Sequence, residues 1–113
     1  MSTITTHVLD VSLGRPGANI GVVLESRGST GAWTEAGRGT TDADGRVKEF
    51  APGKDLPAGL HRLTFDTGAY FAARQTATLY PQVTILFEVN EGQAHYHIPL
   101  LLSPFGYSTY RGS

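Results

Sequence analysis

Hydrophobic and polar residues alternate along most of this chain, in short runs separated by turns that contain glycine or proline. The clearest run is Val83–Val89, VTILFEV, in which every second residue is apolar and lies on one face of an extended strand. Helical periodicity is nearly absent, and one short helix is predicted over Ala69–Thr76. The alternating runs predict eight short strands, at residues 4–13, 20–26, 33–41, 46–50, 60–66, 83–89, 96–102 and 107–111. Short strands at such regular spacing predict an all-β fold, a two-sheet eight-stranded β-sandwich with one short helix.

Length and charge narrow the class of protein. A chain of 113 residues predicts one domain, spanning residues 1–113. Nine Lys and Arg against ten Asp and Glu give a net charge of -1, and this near-neutrality argues against a nucleic-acid partner. Charged residues make up 17% of the chain, below the roughly 25% typical of soluble domains. The shortage suggests that part of the surface is covered, for example by another copy of the chain.

Cysteine usage and the N-terminal segment set further limits. The chain has no Cys, which excludes disulfides, thiolate metal sites and cysteine nucleophiles. Its first seven residues lack the basic and apolar regions of a signal peptide. The longest apolar run, around Ile98–Leu102, is too short to cross a bilayer. We therefore expect a soluble cytoplasmic protein with no membrane partner.

The histidines are the first candidates for chemistry. Strand periodicity puts His95 and His97 on one face of their strand, opposite the more apolar, core-forming face. His7 lies on an alternating face of the first strand with Leu9. A single histidine of this kind is usually a hydrogen-bonded structural residue. A functional role requires His7 and His97 to meet, which spacing alone does not establish.

Metal and phosphate sites find little support. A His-x-His pair could bind a metal, but zinc needs three or four ligands and no third ligand stands at a supporting spacing. The acidic turn Asp42–Gly45 lacks the bidentate acid of a calcium loop. The glycine motifs that cradle phosphates are also missing. We therefore predict neither a metal nor a cofactor.

Arg46 and the C-terminus are the remaining candidates. Arg46 begins a short strand. It is either a solvent-exposed positive charge on an edge strand or a planar guanidinium that binds an anionic or polar heterocycle. Tyr107–Ser113 keeps strand alternation almost to the last residue, so Ser108 and Tyr110 share one face. Since most termini fray, a strand-like terminus with two tyrosines is expected to be anchored, for instance in an interface.

Three segments carry a resemblance to a known family: Ile4–Asp10 (ITTHVLD), Tyr96–Pro104 (YHIPLLLSP) and the terminal Tyr110–Ser113 (YRGS). Together they resemble the transthyretin-like family and, within it, the enzymatic branch of 5-hydroxyisourate hydrolases. The similarity covers nearly the whole chain, including Gly45-Arg46 and the stretch Tyr80–Val83 (YPQV). Hormone-carrying transthyretins lack the terminal motif, so the resemblance is to the hydrolases.

This resemblance implies a fold, an assembly and a reaction. The fold is the eight-stranded sandwich, and the assembly is a homotetramer with active sites at the dimer–dimer interface. The small-molecule substrate is 5-hydroxyisourate, hydrolysed to 2-oxo-4-hydroxy-4-carboxy-5-ureidoimidazoline in urate degradation. The family's catalytic residues correspond to His7, Arg46 and His97. The terminal Tyr110, Arg111, Gly112 and Ser113 correspond to residues that shape the substrate pocket, and we expect Ser108, Tyr110 and Ser113 to supply hydrogen bonds to the substrate.

The residue types suit this chemistry. An imidazole can deprotonate water near neutral pH, and a guanidinium can stabilise the oxyanion that follows. Which histidine is the base stays open at this point. Covalent catalysis by Ser108 is a weaker alternative, because no Asp-His-Ser order is evident.

Two other classes of function also remain. The first is a carrier of a small aromatic ligand in a tetramer channel, which Leu9 and Leu101 would suit but Arg46 would not, since desolvating a charge disfavours apolar ligands. The second is a purely structural sandwich module, against which the missing signal sequence counts.

Overall fold

Within residues 3–50, 52, 56–91 and 95–113, which the computed structural model describes, the chain forms nine strands and one helix. The strands are short and the helix has seven residues. In chain order the elements are β1 (Thr3–Asp10), β2 (Arg15–Pro16), β3 (Gly21–Arg27), β4 (Trp33–Thr40), β5 (Arg46–Val47), β6 (Gly59–Phe65), α1 (Thr67–Ala73), β7 (Val83–Val89), β8 (His95–Ser103) and β9 (Gly106–Thr109).

The strands form two sheets, which confirms the predicted sandwich. The five-stranded sheet has the order β2-β1-β8-β9, with β5 also paired to β1, and the four-stranded sheet has the order β4-β3-β6-β7. The ninth strand, β2, lies where the sequence predicted only a turn. β1 ends at Asp10, earlier than predicted, because the N–H groups of Leu13 and Gly14 donate to the Asp10 carbonyl and close a turn.

The core lies between the sheets, where each strand contributes every second residue. On β1, for example, Ile4 and Val8 are buried while Thr5, His7 and Leu9 are only half-buried. The largest apolar side chains with almost no exposure are Phe65, Phe71, Ile20, Leu24, Leu63, Leu100 and Leu102. This alternation leaves each sheet with an inward face that packs and an outward face that is available for other contacts.

Helix α1 follows β6 in the chain, and it begins and ends earlier than predicted. It begins at Thr67 because the Asp66 carboxylate accepts a hydrogen bond from the Ala69 N–H, which caps the first turn. It packs through Phe71, which is completely buried. In the part of the chain described, no helix is long and apolar enough to cross a membrane.

Asp10 joins the end of β1 to this helix. Its side chain is fully buried and accepts hydrogen bonds from the Tyr70 hydroxyl and from Nη1 of Arg74, each at 2.6 Å. Burial alone would raise the pKa of the Asp10 carboxyl, but hydrogen bonds from Ser12, Tyr70 and the Leu13 N–H, together with the Arg74 charge, hold it below its ordinary value. The carboxylate therefore fixes the strand on which His7 stands.

Candidate active site

The candidate site lies on the outward face of the five-stranded sheet. β1 and β8 are parallel, and their register sets Thr3 beside His95, Thr5 beside His97 and His7 beside Pro99. We call the outward surface formed by Thr3, Thr5, His7, His95 and His97 the imidazole face. Long-range parallel pairing thus brings together two segments that lie about 90 residues apart in the sequence.

Arg46 reaches the imidazole face through a tight turn. The carboxylate of Asp42 accepts hydrogen bonds from the N–H groups of Asp44 (2.9 Å) and Arg46 (3.0 Å), and these bonds lower the pKa of Asp42. Gly45 has a φ of 78°, and a Cβ there would lie 2.3 Å from the Val8 carbonyl oxygen. Only glycine permits this approach, which pairs β5 with β1 and sets Arg46 opposite His7.

A cleft of about 210 Å³ opens on this face. Seven of its eight lining residues are polar or charged, including two imidazoles, two cationic side chains and the C-terminal residue. Its lining consists of Thr5, Thr6, Arg46, Val47, Lys48, His95, His97 and Ser113. The catalytic candidates Arg46 and His97 therefore share one cleft with Ser113, and His7 lies next to it as the cross-strand neighbour of Arg46.

His97 is held by a hydrogen bond and lies near Arg46, His7 and His95. Its Nδ1 lies 2.8 Å from Oγ1 of Thr5, which leaves Nε2 as the nitrogen free to act on a ligand. Burial lowers the pKa of His97, and the neighbouring charges of Arg46, His7 and His95 lower it further. The ring is therefore a neutral imidazole at neutral pH, which is the form that accepts a proton.

The C-terminal segment packs directly on His97. The Gly112 N–H donates a 2.9 Å hydrogen bond to the His97 carbonyl, so strand-like pairing resumes after β9 has ended. A Cβ on Gly112 would lie 2.4 Å from Cδ2 of the His97 ring. Since no side chain fits in that space, glycine at position 112 lets the terminal segment pack on the imidazole, and Ser113 lines the cleft.

The structure separates the other C-terminal candidates from this cleft. Ser108 pairs with Leu101 on β8, beyond the cleft. Tyr110 and Arg111 line a second cleft, at the edge of the sandwich next to β7. The Arg111 guanidinium lies 4.8 Å from the centre of the Tyr96 ring. Within one subunit, then, only Gly112 and Ser113 of the five predicted binding residues contact or line the cleft that holds His97.

Sequence reasoning missed Thr5 and Lys48 as members of the site. Alternation on β1 already placed Thr5 on the same face as His7, but its contact with His97 depends on parallel pairing, which periodicity does not reveal. In the part of the chain described, no three His, Asp or Glu side chains are grouped so that they could hold a metal ion. The groups present are a neutral imidazole, a second imidazole and a guanidinium, which can move a proton and stabilise an anion.

Comparisons with known proteins agree with this chemistry. Residues 4–112 match the model of the HIUase/Transthyretin family. The chain is 45% identical over 118 residues to a 5-hydroxyisourate hydrolase of Caulobacter vibrioides, covering all of both chains. The structure of Klebsiella pneumoniae 5-hydroxyisourate hydrolase superposes with a TM-score of 0.87 at 40% identity, covering all of both chains. Sea bream transthyretin in complex with thyroxine superposes with a TM-score of 0.91 at 31% identity, covering 97% of this chain and 94% of that one.

Proposed function

The chain belongs to the HIUase/Transthyretin family, and we propose that it hydrolyses 5-hydroxyisourate to 2-oxo-4-hydroxy-4-carboxy-5-ureidoimidazoline, a step of urate degradation, in the cleft between His97 and Arg46. The observation that carries this function is the meeting of a neutral imidazole, His97, and a guanidinium, Arg46, in one small polar cleft. The high identity to 5-hydroxyisourate hydrolases supports the same reaction.

His97 is the general base. Its Nδ1 is occupied by Thr5, so Nε2 takes a proton from water as the water oxygen bonds to the ring carbonyl carbon of the substrate. The lowered pKa of His97 keeps this nitrogen unprotonated at neutral pH. General base catalysis of this kind contributes about 10²–10⁴-fold to a rate.

Arg46 stabilises the negative charge that forms on the attacked carbonyl oxygen, and its planar fork aligns the polar ring. The carbon–nitrogen bond then breaks, which leaves a carboxylate and a nitrogen that needs a proton. His7, the cross-strand neighbour of Arg46, supplies it. Ser113 adds a hydrogen-bonding group at the mouth of the cleft, and no covalent bond to serine is required.

The competing function is that of a carrier without turnover. The fold does not separate the two, because thyroxine-bound sea bream transthyretin superposes as well as the hydrolase does. The cleft favours the hydrolase, since Arg46 and Lys48 would lose hydration against an apolar ligand.

The site is completed by assembly into a homotetramer, in which the outward faces of the five-stranded sheets meet at a dimer–dimer interface. Leu9 and Leu101 on that face are only half-buried in one subunit, and Val11 and Leu13 just beyond β1 are 55% and 41% exposed. Burying such residues is a common reason for association. Assembly would also bring Ser108, Tyr110 and Arg111 of one subunit towards the cleft of another.

Sedimentation at micromolar concentration should give the mass of four chains, and an active monomer would contradict this assembly.

One experiment separates hydrolysis from carriage. 5-Hydroxyisourate is generated from urate, mixed with the protein, and the small molecules are recovered and identified by mass. Hydrolysis gives a product heavier than the substrate by one water, formed many times over per protein chain. Recovery of intact substrate bound to the protein, without faster loss, would identify a carrier instead.

A further inference from the structure

A line of hydrogen bonds leads away from His97 along the imidazole face. Oγ1 of Thr5 lies 2.8 Å from Nδ1 of His97 and 3.2 Å from Nε2 of His95. Nδ1 of His95 in turn lies 2.7 Å from Oγ1 of Thr3. His95 and Thr3 are exposed, whereas Thr5 and His97 are half-buried. In one subunit the line thus connects the cleft to solvent, at the start of β1 and β8, the opposite end of these strands from Leu9 and Leu101, where subunits are proposed to meet.

The Thr5 hydroxyl has one proton and stands between two ring nitrogens, so it can donate to only one of them. If it donates to Nε2 of His95, it accepts from Nδ1–H of His97, and Nε2 of His97 carries a free lone pair. If it donates to Nδ1 of His97, then Nε2 of His97 carries the hydrogen instead. The direction of the Thr5 hydroxyl therefore decides whether His97 faces the cleft as a base or as an acid.

We propose that Thr5 and His95 form a proton relay that sets the tautomer of His97 and carries its Nδ1 proton to the exposed start of β8. This role presupposes the hydrolysis proposed above. As Nε2 of His97 takes the proton of the attacking water, Nδ1–H passes its proton to Thr5 Oγ1, and the Thr5 hydroxyl proton passes to Nε2 of His95. His95 ends as the cation, and it returns the proton to solvent.

The surroundings explain what the relay achieves. His97 is half-buried, and its burial together with the charges of Arg46, His7 and His95 makes a charged His97 unfavourable. His95 is exposed, so water solvates the same charge there. Moving the proton by two hydrogen bonds keeps His97 neutral while the oxyanion forms at Arg46. Thr5 is accordingly a positioning residue, since it acts through His97 and does not need to touch the substrate.

Thr5→Val tests the relay, with Thr5→Ser as the matched control that restores the hydroxyl. We expect Thr5→Val to lower kcat by about 10–100-fold, part of the general-base contribution, with KM changed by less than about threefold. Thr5→Ser should retain kcat within about threefold. Nitrogen-15 spectra of the labelled histidines should show Nδ1–H on His97 in the wild type and in Thr5→Ser, and a shift towards Nε2–H in Thr5→Val.

A second variant tests the relay independently if Thr5→Val is poorly folded. His95→Ala removes the exposed end of the relay, so kcat should fall, and imidazole added to the buffer should restore it in proportion to its concentration. Wild-type kcat in Thr5→Val or His95→Ala, an equal loss in Thr5→Ser, or an unchanged His97 tautomer in Thr5→Val would overturn the relay. Failure of the wild type to hydrolyse 5-hydroxyisourate would overturn the proposed function, and the tautomer spectra would still decide the role of Thr5.

Discussion

The outward faces of the two sheets differ in whether their arginines form ion pairs. On the four-stranded sheet, Nε of Arg62 donates to Oε1 of Glu25 at 2.8 Å, and its guanidinium lies 4.3 Å from the centre of the Trp33 ring. Next to it Arg38 pairs with Glu35. We call this surface the ion-pair face. On the imidazole face, by contrast, Arg46 forms no ion pair with any carboxylate in the part of the chain that the structure describes, and its neighbours include histidines.

The difference separates a solvated surface from a reactive one. Exposed pairs such as Arg38–Glu35 contribute little to stability and already have their charge neutralised. A guanidinium without a carboxylate ion pair in the described residues, lying beside the neutral imidazole of His97, can offer its charge to a ligand or to an oxyanion. Matched substitutions on the two faces therefore test whether function depends on Arg46, which has no carboxylate ion pair among the described residues.

The largest effect is expected at His97. His97→Asn removes the base, and we expect kcat/KM for 5-hydroxyisourate to fall by about 10²–10⁴-fold. Arg62→Gln, which breaks a pair on the ion-pair face, should leave kcat/KM unchanged. Both are measured by following the ultraviolet absorbance of freshly made substrate. Equal losses in the two variants would remove the functional distinction between the faces.

Arg46→Gln comes next. It removes the positive charge at the oxyanion, and kcat should fall by about 10²–10³-fold, as for the loss of one oxyanion donor. Arg38→Gln on the ion-pair face serves as the control for removing a surface arginine. Full activity of Arg46→Gln in a stopped-flow assay would show that the guanidinium is not used in the reaction.

Gly112 tests the packing of the C-terminus on His97. In Gly112→Ala the new Cβ must push the ring or the terminal segment aside, and we expect kcat/KM to fall by about 10–100-fold through misplaced groups. Gly106→Ala is a control, since its Cβ would meet only Ser103 Oγ, at 3.6 Å. Wild-type kinetics in Gly112→Ala would mean that the terminus moves freely and does not shape the cleft.

Asp10 supports the strand beneath the imidazole face. Asp10→Asn leaves Arg74 without its buried partner, and the free energy of unfolding in urea at pH 7 should drop by about 3 kcal/mol. Glu25→Gln on the ion-pair face should cost at most about 1 kcal/mol. Because the folded-state pKa of Asp10 is lowered, its stabilisation is complete above the unfolded-state value of about 3.9 and is lost as pH falls through the lower folded value. Equal unfolding free energies for the two variants would contradict this difference.

The smallest effect concerns pH. Because burial and neighbouring cations lower the pKa of His97, the acid limb of kcat/KM should lie below pH 6.5, the ordinary value for histidine. Arg46→Gln removes one of those cations, so the pKa of His97, followed by its NMR titration, should rise. A downward shift or none would mean that Arg46 does not act on the ring electrostatically.

Sequence alone predicted the sandwich and the outward placement of His7, His95 and His97, because both follow from strict alternation on strands such as β1 and β8. The residues that contact these histidines could not be predicted from alternation. Thr5 meets His97 only through parallel pairing, and Arg46 meets His7 only through the Gly45 turn. Arg111 shows the converse: the terminal motif suggested a binding residue, whereas alternation turns its side chain onto Tyr96 in the single subunit.

The central claim is that Arg46 and the neutral His97 make this face a hydrolytic site. The most direct test follows the decay of 5-hydroxyisourate, freshly produced from urate, at increasing concentrations of the wild-type protein at neutral pH. We predict a decay rate that rises in proportion to protein concentration and far exceeds the rate in buffer. A decay rate equal to that in buffer, with a protein that circular dichroism shows to be folded, would contradict the claim.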